Sequence, residues 1–250
     1  METERMPSTG QGFKTLQDRK QVLWYDPVLI STFEINLFSP EWLQAEGKLR
    51  ATSQGRNAAW FIHHDGVDMV LRHYYRGGLI GRVNKDLFLR QPVGKSRAMA
   101  EFSLLSWMYE QDLPVPRPVA ARFSPVGIFY RADILTQTIP ASETLADRLL
   151  HAPLDENTWH SVGEAVAKIH GAGVLHSDLN CRNILIDQSS KIWIIDFDKC
   201  ERRGNGDWRD DNLARLHRSF VKEKTKQASL HWEEADWECF MTGYHKYQKQ

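Results

Sequence analysis

Neither sign of charge is in excess in this 250-residue chain, where 32 Lys and Arg stand against 32 Asp and Glu. Bulk electrostatics therefore point to no polyanionic partner, and no recognised nucleic-acid module accompanies the local basic stretches. Cysteine is scarce. Cys181, Cys200 and Cys239 have neither metal-type nor disulfide-type spacing, which fits a reducing compartment and excludes a disulfide-stapled fold. Long apolar runs are missing as well. A membrane-spanning helix needs roughly eighteen or more consecutive apolar residues, and no such stretch occurs. Residues 1–20 are polar, lack the apolar core of a secretory leader, and are expected to form a mobile tail. The length suits a full core built as one domain or two small lobes.

Two aspartates lie in settings that carry chemistry. Asp178 belongs to His176-Ser177-Asp178-Leu179-Asn180-Cys181-Arg182-Asn183, which runs into Ile184-Leu185-Ile186. Asp196 follows Ile192-Trp193-Ile194-Ile195 and opens Asp196-Phe197-Asp198. An H-x-D, an asparagine five positions after the aspartate, then strand, turn, strand and D-F reproduce the order of a kinase catalytic loop and its metal-binding aspartate. In that chemistry Asp178 takes or orients the proton of an attacking hydroxyl. Asn183 and Asp196 hold Mg2+ against the phosphates of ATP, because a hard cation wants oxygen ligands. The turn Asp187-Gln188-Ser189-Ser190 makes the linking segment a hairpin that puts both ligands on rigid elements. His176 is expected to brace the loop through its ring hydrogen bonds. Arg182 and Asp198 are secondary candidates for substrate contact and metal support, and Cys181 reads as a small buried filler.

The coarse element order is that of an α+β, two-lobed, protein-kinase-like fold. A short helix is expected to begin at Pro40, and strands over 56–64 and 68–74 are joined by Asp65-Gly66. A helix over 96–111 carries Ala98, Phe102, Leu105 and Met108 or Tyr109 on one face, and Pro114, Pro116 and Pro118 end it. Strands over 126–130 and 132–139 follow, then helices over 143–150 and 156–171, the latter stopping at Gly171-Ala172-Gly173. This gives a small antiparallel-sheet N-lobe with one main helix over 21–139 and a reduced helical C-lobe over 140–250. For the nucleotide, Gly55 and Arg56 are candidates for a phosphate-covering loop, with an ordinary hairpin turn as the equal alternative. Arg72 stands where kinases carry a lysine, and Glu101 is its expected partner.

Local charge bears on the acceptor. Between residues 72 and 97, Arg72, Arg76, Arg82, Lys85, Arg90, Lys95 and Arg97 face Asp86 alone. Gly77, Gly78 and Gly81 make part of this stretch a loop able to close over a carboxylate or phosphate, or to rest on anionic headgroups; a solvated basic face is the alternative. Asn180 replaces the lysine usual in serine/threonine protein kinases, Asp198 replaces the glycine of D-F-G, and the 54 residues after Asp196 contain no A-P-E. A hydroxyl on a small molecule or glycolipid is the better acceptor than a protein.

The segments 176–183 and 196–198, Arg76-Gly77-Gly78-Leu79, and Leu213-Ala214-Arg215-Leu216-His217-Arg218-Ser219 together resemble the bacterial 3-deoxy-D-manno-octulosonic acid (Kdo) kinases of lipopolysaccharide core synthesis. The similarity covers residues 22–247. It implies ATP- and Mg2+-dependent phosphorylation of the 4-hydroxyl of a Kdo residue on Kdo-lipid A, an anionic, membrane-held glycolipid. It also implies a protein that works peripherally on the cytoplasmic face of the inner membrane. Arg215, Arg218, Lys222, Lys224 and Lys226 would add to a membrane-facing surface, with a solvated helix face as the alternative. Two other readings remain: a kinase for another small-molecule or core-sugar hydroxyl, and a non-catalytic nucleotide-binding module, motivated by the missing lysine and the thin glycine loop.

Overall fold

β-Branched and aromatic runs, broken by Asp-Gly and Val-Gly turns, make the N-terminal part of the chain a sheet. Its elements are β1 (Lys14–Asp18), β2 (Gln21–Tyr25), α1 (Pro40–Ala45), β3 (Leu49–Thr52), β4 (Ala59–His64), β5 (Val67–His73), β6 (Phe88–Leu89), α2 (Arg97–Glu110), β7 (Pro118–Val126) and β8 (Phe129–Gln137). The computed structural model describes residues 12–18, 20–53, 59–76 and 85–248. The chain divides into two units, one of residues 1–106 and 117–138, the other of 107–116 and 139–250.

In the first unit the eight strands pair antiparallel in the order β1-β2-β7-β8-β5-β4-β3, with β6 also on β8. Asp65 and Gly66 adopt φ of 51° and 76°, the left-handed pair that a two-residue hairpin turn needs, and fold β4 back onto β5. α1 starts on the Ser39 hydroxyl, which accepts the Trp42 N–H at 3.3 Å, with Pro40 in the first turn. Leu37 and Leu43 beneath it pack with Leu23, Met69, Leu71 and Leu135 of the strands. Along α2, Ala98, Phe102, Leu105 and Met108 are at most 1% exposed, whereas Tyr109 turns outward.

Two strands depart from the sequence reading. β1 lies inside the expected tail, with Leu16 opposite Leu23 and Phe13 edge-on to Phe102 at 4.8 Å. β7 occupies residues that the sequence reading left without an element, and the expected strand over 126–130 is split by the turn at Gly127 between the end of β7 and the start of β8. The prolines are tolerated by position: Pro118 is the first residue of β7, and Pro125 lies beyond Phe123, where pairing with β2 stops.

The second unit comprises β9 (Glu143–Thr144), α3 (Leu145–His151), α4 (Glu156–Gly171), β10 (Val174–Leu175), β11 (Ile184–Ile186), β12 (Ile192–Ile194), β13 (Glu201–Arg202), α5 (Trp208–Lys226) and α6 (Glu234–Gln248). Residues 107–116, which the sequence reading assigned to the first lobe, belong here; the Pro114 carbonyl accepts the Ile194 N–H at 2.7 Å. Asp155 caps α4 by accepting the Thr158 N–H at 2.8 Å, and Trp159, Val162, Val166 and Ile169 form its buried stripe. α4 and α6 cross backbone to backbone. A Cβ on Gly163 would stand 2.1 Å from the Phe240 carbonyl oxygen, and one on Gly243 would stand 2.2 Å from that of His160. α5 buries Asn212 and Glu223 alongside Leu213, Leu216 and Phe220. No helix among the described residues is long and apolar enough to cross a membrane.

Candidate active site

The loop between β10 and β11 is set by its own histidine. His176 is fully buried; its Nε2 faces the Ile195 carbonyl at 3.0 Å, so that nitrogen carries the proton, and Nδ1 accepts the Asp178 N–H at 3.2 Å. Burial pushes the imidazole pKa below its ordinary value, against the smaller pull of the Ile195 carbonyl and the charges of Asp196 and Asp178. The ring is a neutral brace with both nitrogens satisfied, and Phe197 packs on it at 4.8 Å. Ser177 adds a second tie, donating its hydroxyl to the Asp198 carbonyl at 2.6 Å.

These ties bring the two motifs onto one hairpin. β11 and β12 pair Ile184 with Ile194, and the ladder runs one residue further, with the Ile195 N–H bonded to the Asn183 carbonyl at 2.9 Å. Asn183 therefore lies beside the residue that precedes Asp196. Its amide nitrogen donates to the Asp178 carbonyl at 2.9 Å, which leaves Oδ1 as the end available to a cation. Asp196 takes a left-handed backbone, φ 66°, a conformation uncommon outside glycine that redirects the chain as β12 ends. Among the described residues no cluster of three or more His, Cys, Asp or Glu could hold a metal. The donor set is one amide oxygen and one carboxylate, and it fits Mg2+, which uses one or two carboxylates together with substrate phosphates.

Asp178 is exposed, and its carboxylate has two side-chain partners among the described residues. Asn180 Nδ2 reaches Oδ2 at 3.3 Å, and Arg215 Nη1 donates to Oδ1 at 2.8 Å. Sequence reasoning placed Arg215 in the segment that carries the family resemblance and on a charged surface, and gave it no part at Asp178. The cation missing from position 180 arrives from α5, 37 residues after Asp178. The same helix supports the rest of the loop: Asn212 Nδ2 donates to the His176 carbonyl at 2.7 Å, Ser219 Oγ accepts the Cys181 N–H at 3.0 Å, and Glu223 binds Arg182 at 2.5 Å. Positions 212, 215, 219 and 223 recur at helical spacing, so one face of α5 carries all four. That spacing was the available signal, although a polar stripe on a polar helix reads equally well as a solvated face.

Arg182 also approaches Asp147 at 3.6 Å, so its guanidinium ties the loop to α5 and α3; substrate contact was the role expected of it. Burial works against the Glu223 carboxylate, but bonds from Arg182 and then Lys226 outweigh it and hold its pKa below the usual value. Burial raises the Cys181 thiol pKa, as suits a filler and not a nucleophile.

Beside Asp178 lies a cleft of about 480 Å³ whose walls include Arg182, Arg215, Arg218, Lys222 and Lys226. In the first unit, Arg72 on β5 donates to Glu101 on α2 at 2.5 Å, and Glu101, only 3% exposed, also accepts the Tyr74 hydroxyl at 2.5 Å. Gly55, Arg56 and the glycine segment 77–81 lie outside the described residues.

A family model described as "Lipopolysaccharide kinase (Kdo/WaaP) family" matches residues 40–244. Among curated relatives, the 3-deoxy-D-manno-octulosonic acid kinase of Vibrio parahaemolyticus is 43% identical over 220 residues, 88% of this chain and 92% of its own. The proteins of the same name from Photobacterium damsela and Pasteurella multocida are 42% and 39% identical, over 89% and 83% of this chain and 93% and 89% of theirs. The match runs through the 176–183 loop, the β11–β12 hairpin and the α5 face that supports them, and the chain belongs to the lipopolysaccharide kinase (Kdo/WaaP) family.

Proposed function

We propose that this kinase transfers the γ-phosphoryl group of ATP to the 4-hydroxyl of a Kdo residue on Kdo-lipid A, in lipopolysaccharide core synthesis. The observation that carries the reading is the β11–β12 hairpin, with Asn183 at its start bonded to the Asp178 carbonyl and Asp196 just past its end, in a family whose curated relatives are Kdo kinases. Asp178 accepts the proton of the attacking hydroxyl as the new O–P bond forms, the bond from the γ-phosphorus to its bridging oxygen breaks, and ADP leaves. Arg215 and Asn180 aim the carboxylate. Asn183 and Asp196 would hold Mg2+, with Asp198 as a secondary carboxylate; the ion's contribution is to neutralise charge on the phosphate oxygens. Arg72, fixed by Glu101, serves the nucleotide phosphates, and Gly55 and Arg56 the loop that covers them.

The substrate is membrane-held, so the enzyme works peripherally at the cytoplasmic face of the inner membrane. The basic faces of the chain support that placement. Mass spectrometry of Kdo-lipid A after incubation with the protein, ATP and Mg2+ tests the reading. One phosphate gained on the sugar is expected, with the rate lowered by roughly 10²–10⁴-fold in Asp178→Ala. Activity of that variant within tenfold of wild type, or transfer to other core sugars only, would overturn it.

A further inference from the structure

The cleft beside Asp178 holds more positive charge than its ion pairs use. Its walls carry five cations, Arg182, Arg215, Arg218, Lys222 and Lys226, against two carboxylates, Asp178 and Glu223. Arg215 is engaged by Asp178, while Arg182 and Lys226 share Glu223, each at 2.5 Å. Arg218 and Lys222 remain. They are exposed, one helical turn apart on α5, and bonded to no side chain among the described residues. With Arg215 and Lys226 they form a row at spacings of 3, 4 and 4, so all four share the face that looks onto the cleft.

Resting on the acceptor reading above, we infer that Arg218 and Lys222 form the subsite for an anionic group of the acceptor, a carboxylate or a phosphate ester, and thereby orient its hydroxyl toward Asp178. A cavity of about 480 Å³ is the size of a small-molecule pocket, so a sugar fits within it. The hydroxyl that reacts must lie within hydrogen-bond reach of Asp178, so charge on the same or a neighbouring sugar falls along this wall. A planar guanidinium suits either anion through two parallel bonds, and an ammonium adds a point charge. The concave, shared wall with Asp178 favours a substrate group over a membrane surface, which meets convex basic faces.

Calorimetric titration with the deacylated, water-soluble Kdo-glucosamine disaccharide bisphosphate, free of detergent and lipid, tests the subsite. The double variant Arg218→Gln/Lys222→Gln is expected to bind it at least tenfold more weakly than wild type, and Lys222→Arg in the wild-type background to bind normally. Repeating the titration after enzymatic removal of the phosphates separates the sources. If the variant still binds the dephosphorylated ligand tenfold more weakly than wild type does, the carboxylate is the group held. If dephosphorylation weakens wild type to the level of the variant, it is a phosphate. A double variant that binds within twofold of wild type overturns the subsite, as does one that loses only binding to vesicles of anionic phospholipid. Phosphoryl transfer is followed in parallel. Turnover by wild type with unaffected binding in the variant sinks the subsite alone. Variant-sensitive binding without turnover by wild type sinks the Kdo reading alone, and no binding by wild type sinks both.

Discussion

Replacing Arg215 by alanine leaves the Asp178 carboxylate with Asn180 as its one side-chain partner among the described residues. The pair is about half exposed, so its stabilising value is small and its worth lies in aim. Arg215→Ala is expected to lower kcat about a hundredfold, the cost of a misplaced catalytic group, while KM for ATP stays within about threefold. Arg215→Lys is expected to recover part of the loss. Steady-state kinetics of the three proteins decide it, and an unchanged kcat in the alanine variant would remove Arg215 from the site. The contrast between Asp178 and Arg215 marks how far the site was legible in the sequence. Residues 176–198 form one local stretch whose spacing encodes the loop and hairpin directly. Arg215, Asn212 and Ser219 reach it from a helix whose apolar stripe, Leu213, Leu216 and Phe220, does not tell which flanking polar face turns toward the loop.

At the crossing of α4 and α6, Gly163 and Gly243 let one backbone touch the other, and no side chain can be added without moving a main chain. Gly163→Ala is expected to destabilise the fold by about 3 kcal/mol through overpacking, lowering the melting temperature by roughly 6–12 °C. A melting curve unchanged from wild type would show that the helices separate freely there. Elements with a strong local signal were readable: the Asp65-Gly66 hairpin, the apolar face of α2 and the capped α4 all follow from period and punctuation. β1 and β7 were not. One looks polar because its edge position leaves most of its residues exposed, and the other hides prolines at places where the ladder asks nothing of them.

Across the whole molecule, two histidines, His73 half-buried and His170 fully buried, give stability opposite slopes with pH. In the first unit His73 is bound by Asp133 at 2.6 Å and by Asp86 at 3.2 Å. Burial disfavours its charged form, but Asp133 and then Asp86 outweigh burial and raise its pKa above 6.5. Its stabilisation is complete below about pH 6.5 and is lost as pH rises through the higher folded value. In the second unit His170 is neutral, its ring held by Asn212 at 3.1 Å and by the Tyr244 hydroxyl at 2.9 Å. Burial lowers its pKa to about 4, so its contribution, about 3 kcal/mol, is complete above pH 6.5 and is lost as pH falls toward 4. Stability is therefore expected to crest near pH 6.5, with His73→Asn flattening the alkaline limb and His170→Asn the acid limb in denaturation measured against pH. A limb unchanged by its own variant would assign it to other groups. The α4–α6 crossing also has a consequence during synthesis on the ribosome. Glu234, where α6 begins, comes 51 positions after Asn183. At about 5–20 residues per second, the nascent chain carries the 176–183 loop for several seconds before the helix that packs on α4 is made. For that interval Gly163 and His170 of α4 lack their neighbours Phe240 and Tyr244, and the newborn chain is expected to be a client for the cell's chaperones.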